Sequence, residues 1–86
     1  MPSYLIEGYL PRSRAAELTE SVARLRVAAE VLTAEGTPVR HVRSSFLPAD
    51  ELFLHVVEAD SAEAAGEATT RAGIAPERIT TEEVAT

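Results

Sequence analysis

The sequence predicts an α+β domain in which two helices cover one face of a four-stranded antiparallel sheet, and three observations carry that expectation. One uninterrupted apolar stripe recurs at helical spacing from Leu18 to Leu32, three segments rich in β-branched and aromatic residues lie around it, and Gly, Pro and Asp punctuate the junctions. At 86 residues and 9.2 kDa the chain is expected to form a single domain spanning 1–86.

Residues 4–10 (YLIEGYL) are β-formers closed by Pro11, which cannot donate to a ladder. Ser13 offers an N-cap, and from there to Glu35 the chain contains neither Gly nor Pro. Leu18, Val22, Leu25, Ala29 and Leu32 follow one another at spacings of four, three, four and three, one face of a helix of about six turns. Gly36 supplies a left-handed C′ position and Pro38 blocks continuation. Residues 39–47 (VRHVRSSFL) and 52–59 (LFLHVVEA) read as strands joined by the turn residues 48–51 (PADE). Asp60 with Glu63 makes an acidic capping box for a second helix that ends at Gly73, with Ile74 placed for a Schellman contact. Gly66 within that helix suggests close packing against the sheet, and residues 78–84 form a weaker last strand. Two right-handed βαβ units in this order give the ferredoxin-like βαββαβ arrangement, with the first and third strands central and the second and fourth at the edges.

Composition removes several function classes. Eight arginines, no lysine and a net charge of −6 leave no basic track for nucleic acid. Without cysteine there are no disulfides, thiolate metal sites or cysteine nucleophiles. No run approaches the roughly eighteen apolar residues of a membrane span, and no signal-peptide pattern opens the chain, so a cytoplasmic location is expected. No phosphate loop, dinucleotide or flavin fingerprint occurs, and Ser44 and Ser45 lack a nucleophile-elbow pattern.

The face left uncovered by the helices is where function is expected. Residues 52–57 are apolar except at His55, so both faces of that central strand are hydrophobic, unlike a half-solvated antiparallel strand. The economical cover is a second copy, sheet to sheet about a two-fold axis, giving a homodimeric α+β barrel. Strict alternation assigns Tyr4, Ile6, Val42, Leu54 and Val56 to the helix side. It assigns Glu7, Tyr9, His41, Arg43, Ser45, Phe53, His55 and Val57 to the cleft between the two copies. The hairpin register decides the histidines: a three-residue turn centred on Pro48 pairs His41 with His55, whereas a four-residue loop puts them on opposite faces.

The phrases YLIEGYLP (4–11), EGTPVRHVRSSFLPADE (35–51) and FLHVVEADSAEAAGEA (53–68) resemble a small bacterial ferredoxin-like family of nickel-binding proteins. The resemblance runs from Tyr4 to about Ile79 and implies the fold and metal binding, without assigning ligands. The first strand departs from the metal-binding branch in having no histidine. From the residues themselves, His41, His55 and Glu7 are the candidate metal ligands, since nickel and other divalent transition metals accept imidazole and carboxylate. Glu7, Tyr9, Arg43, Ser45 and Phe53 are the candidate ligand-binding set. The reading is a small-ligand- or nickel-binding homodimer. Its alternatives are a cofactor-independent oxygenase- or cyclase-type enzyme using Glu7, a histidine and Arg43 for acid–base work, and a non-catalytic interaction module in which a Glu7–Arg43 ion pair locks the dimer.

Overall fold

Ile6 and Val57 have no accessible surface, and both stand on the helix-covered side of a four-stranded antiparallel sheet whose strands lie in the order 39–47, 52–59, 3–9, 78–82. The computed structural model describes residues 1–83 and Ala85. The strands are β1 (Ser3–Tyr9), β2 (Val39–Leu47), β3 (Leu52–Ala59) and β4 (Arg78–Glu82), and the helices are α1 (Glu17–Ala34) and α2 (Ala62–Arg71). This is the expected ferredoxin-like α+β topology, with β1 and β3 central. Of the segment expected for β4, Val84 lies outside the described residues.

The helix ends show where local chemistry decided and where it did not. Both C-termini close as Schellman motifs. At α1, Gly36 (φ +98°) donates to Thr33 and Thr37 donates to Leu32, while at α2, Gly73 (φ +70°) donates to Thr70 and Ile74 donates to Thr69. The N-termini differ from expectation. Ser13 sits in a 3-10 turn, Arg12–Arg14, and α1 starts after Ala16 with no side-chain cap. At α2 the cap is Ser61, whose Oγ accepts from the Ala64 amide at 3.1 Å, so Asp60 stands one residue outside the cap.

Leu25, Ala28, Ala29 and Leu32 of α1, with Ala64, Ala65 and Ala68 of α2, bury against Tyr4, Ile6, Phe53 and Val57 of the sheet. Close approach in this layer is made at Gly8 and not at Gly66, whose Cβ position is open. A Cβ at Gly8 would overlap Phe53 Cζ, so the missing side chain makes room for the Phe53 ring across the β1–β3 pair.

The hairpin corrects the face assignments. Residues 48–51 form a four-residue loop between the paired Leu47 and Leu52, with Glu51 at φ +52°. That conformation is held from β1 outward: the Leu10 amide donates to the Glu51 carbonyl and the Arg12 amide to its carboxylate, both at 2.8 Å. A four-residue loop alone would separate His41 from His55. A β-bulge between His41 and Arg43 inserts one residue, Val42, so that His41 pairs with Val57 while Ser44 pairs with His55. Both histidines therefore share a face, and it is the helix-covered one.

Candidate functional site

Cross-strand partners share a face, so the register distributes every candidate residue. Ile6 faces His55, Tyr4 faces Val57 and Gly8 faces Phe53 on the helix side, joined by His41 and Ser44 of β2. Leu5, Glu7 and Tyr9 stand on the open side with Leu54, Val56, Arg43 and Ser45. The expected cleft set is thus divided. Glu7, Tyr9, Arg43 and Ser45 do lie together on the open face, while His41, Phe53, His55 and Val57 turn into the helix layer and Leu54 and Val56 take the open positions expected of them. The bulge at Val42 is the cause for β2. For β3, pairing Phe53 with Gly8 and Val57 with Tyr4 commits its odd residues to the core.

On the open face the polar residues form ion pairs. Arg78 binds Glu7 at 2.8 Å, Arg43 binds Glu82 at 2.9 Å and Arg40 binds Glu58 at 2.7 Å. The expected Glu7–Arg43 pair is replaced because Arg78 is the direct cross-strand partner of Glu7. Arg43 instead spans from one edge strand to the other, over the positions of Val56 and Leu5, and Val56 is only 2% exposed.

The helix side holds a chain of neutral hydrogen bonds. Ser44 Oγ lies 2.6 Å from His55 Nδ1 and 2.8 Å from His41 Nε2, and Arg26 Nε donates to His41 Nδ1 at 3.4 Å. The two rings are 6.5 Å apart, and Phe53 packs at 5.2 Å from His55. His55 is 1% exposed, and burial, with His41 second, pushes its imidazole down to about 4. Burial and then the Arg26 charge lower His41 as well. Both rings are accordingly neutral at pH 7.

His55 also lines a cavity of about 290 Å³ beneath the first turns of α1. Phe53 is its aromatic wall, Tyr9 borders it at the end of β1, Ile74 closes it from the loop after α2, and Arg14 and Arg24 come from the α1 side. Arg24 ties the roof together by donating from Nε to the Ala72 carbonyl at 2.8 Å and from Nη2 to Ser21 Oγ at 3.2 Å. Arg14 is engaged with Glu17 at 2.7 Å, and its hydrogen bonds hold the Glu17 carboxyl below its ordinary range. A shallower groove of about 470 Å³ lies at the opposite end of the chain, along α1 and β2, and includes Arg26 and His41. The hydrogen-bonded chain therefore runs between two openings, with His55 at the deeper one.

The proposed metal donors do not assemble. Glu7 is on the other face of the sheet from both histidines, and the two imidazole nitrogens that face one another are each bonded to Ser44. Among the described residues no group of three His, Asp or Glu side chains could hold a metal ion. Within one chain, His41, His55 and Glu7 are therefore not brought to a common point. The elements that do build the site include several that sequence reasoning passed over. The sequence raises Ser44 only as a nucleophile, and it singles out neither Arg24 nor Arg26. A bulge in β2, which would have singled out Ser44, leaves no signature in VRHVRSSFL.

No family model and no curated protein sequence matches this chain. In three dimensions the chain is similar to the crystal structure of SCO4226 from Streptomyces coelicolor A3(2), with a TM-score of 0.64 at 15% identity, covering 98% of this chain and 99% of that one. Similarity over the whole length of both chains supports the βαββαβ architecture.

Proposed function

We propose that this protein binds a small organic molecule in the cavity over His55. One observation carries the reading. A histidine that is 1% exposed is bonded at Nδ1 to Ser44, and its ring lines the cavity. A polar ring held in one orientation in the wall of a cavity supplies directional recognition to whatever enters. The site sits under α1, not in the cleft of the open face, although Tyr9 and Phe53 of the expected ligand set do line it. Screening a small-fragment set of carboxylates, alcohols and amines by two-dimensional NMR tests it. Binders should shift the Phe53, His55 and Ile74 resonances together, and a set in which no compound moves them overturns the reading.

A homodimer through the open face is the second reading, supported by the balance of that surface. The face combines Leu5 and Leu54 with the exposed Tyr9 and Leu47, and its three arginines are matched by three glutamates. The remaining five arginines and eleven carboxylates carry the net charge of −6, so this is a surface on which two copies can meet without net repulsion. Light scattering at micromolar concentration should give twice the chain mass. A stable monomer ends this reading and leaves the cavity untouched.

A further inference from the structure

We infer that the hydrogen-bonded chain from Arg26 to His55 fixes His55 as a donor into the cavity, and that the ligand is a small carboxylate. The inference rests on the cavity reading above and adds the class of ligand. Its direction is set at the surface end. A guanidinium has donors only, so Arg26 Nε–H requires a lone pair on His41 Nδ1. Neutral His41 then carries its proton on Nε2 and donates to Ser44 Oγ at 2.8 Å. The Ser44 hydroxyl, having accepted there, directs its own hydrogen to His55 Nδ1 at 2.6 Å. His55 Nδ1 is thereby an acceptor, and the proton sits on Nε2 of a ring that lines the cavity. Ser44 Oγ has two lone pairs and one hydrogen, and this orientation is the one that places that hydrogen within the chain, so an exposed arginine biases the polarity of the His55 ring.

A fixed N–H donor asks for an acceptor oxygen, and the cavity wall selects charge as well. Arg14 is neutralised by Glu17, but Arg24 hydrogen-bonds only to the uncharged Ala72 carbonyl and Ser21 hydroxyl, with the Glu20 carboxylate farther off at 3.9 Å. A carboxylate meets both demands, one oxygen on His55 and its charge toward Arg24. The volume of about 290 Å³ holds roughly ten heavy atoms at the ~30 Å³ a water occupies, and Phe53 with Leu18 and Ile74 offers an apolar patch in its wall. Benzoate is therefore the probe of choice, with benzylamine and benzyl alcohol as its cationic and neutral counterparts.

The experiment is NMR on the full chain. Long-range imidazole ¹⁵N spectra at pH 7.5 should show both histidines neutral and protonated on Nε2, and a His55 protonated on Nδ1 overturns the inference whatever binds. Benzoate should shift His55, Phe53 and Ile74 saturably, at least tenfold more tightly than benzylamine or benzyl alcohol. Arg26→Leu, at an exposed position outside the cavity, should leave the fold intact, let His55 populate both tautomers, and weaken benzoate about tenfold. An unchanged tautomer in Arg26→Leu removes the relay. Amine or alcohol binding in preference to benzoate defeats the ligand class while the cavity reading stands. If no probe moves the cavity resonances, the cavity reading falls and takes this inference with it.

Discussion

The two faces of this sheet handle polar groups in opposite ways. On the open face, Glu7, Arg43, Glu58, Arg78, Arg40 and Glu82 are charged and meet in pairs at the surface. On the helix face, His41, Ser44 and His55 are uncharged and satisfy one another in a line. The difference follows from solvent. Isolated charges at the covered face would carry a large desolvation cost, so neutral groups hydrogen-bonded to one another are the tolerable solution there. Surface ion pairs form readily and contribute little, about 0–1 kcal/mol each. The consequence is that similar substitutions on the two faces should differ severalfold in effect.

A carboxylate placed on either face of β3 gives the sharpest contrast. Val57→Asp buries a charge at a position with no accessible surface, among Tyr4 and His41, and should prevent folding, with a loss of more than about 4 kcal/mol. Leu54→Asp, half-buried on the open face beside Glu7 and Ser45, should retain a native circular dichroism spectrum and lower the mass seen by light scattering if two copies pair there. Alternation alone would assign these roles the other way round. A folded, soluble Val57→Asp protein would mean that the register described for β3 is wrong.

Acid titration isolates the covered face. His55 has its native value near 4 against 6.5 for a free imidazole, so between these values the unfolded chain binds more protons than the folded one. The stabilisation from keeping His55 neutral is complete above 6.5 and is lost as pH falls toward 4, a difference of about 3 kcal/mol. His41 shifts in the same direction and adds to the loss. Arg14, Arg24 and Glu17 around the cavity and Arg26 behind His41 are the charged groups nearest the pair, and only Glu17 among them titrates in acid. Urea unfolding at pH 7.5 and pH 4 should therefore show wild type losing about 3 kcal/mol more than His55→Phe. Parallel profiles for the two proteins would mean that the ring is not held neutral.

Adjacent serines provide a finer version of the same comparison, and they mark how far the sequence could be read. Element order, both Schellman endings and the central position of β1 and β3 are legible because each rests on short-range chemistry: a 3.6-residue stripe, Gly36, Gly73, Pro38. Face assignment on β2 is not, because one inserted residue reverses it and Val42 resembles any other strand valine. Hence Ser45 looked like the site residue and Ser44 like its idle neighbour, whereas Ser44 holds both imidazoles and Ser45 is exposed. Ser44→Ala should cost about 2 kcal/mol by leaving His55 Nδ1 buried without its donor, and Ser45→Ala less than about 0.5 kcal/mol. Thermal unfolding of the two variants side by side reads the difference, and equal costs would return β2 to simple alternation.

The smallest effect is the coupling between Arg43 and Glu82, and its size reports on whether the open face is covered. In a single chain the pair joins an arginine side chain 57% exposed to a glutamate 18% exposed. A double-mutant cycle with Arg43→Ala and Glu82→Ala in the monomer should therefore give no more than about 1 kcal/mol, falling as salt is raised. Covering the face with a second copy changes the physics at this one pair. Both side chains would leave water, the Coulomb attraction would strengthen, and ionic strength would lose its hold. Truncating one partner would then leave a buried charge, so the single variants should become costly together while the double variant does not. Repeating the cycle above and below the concentration at which the scattering mass changes separates the cases within one protein. A coupling that stays small and salt-sensitive at every concentration means that Arg43 and Glu82 remain in water, and that this face of the sheet does not close on a second copy.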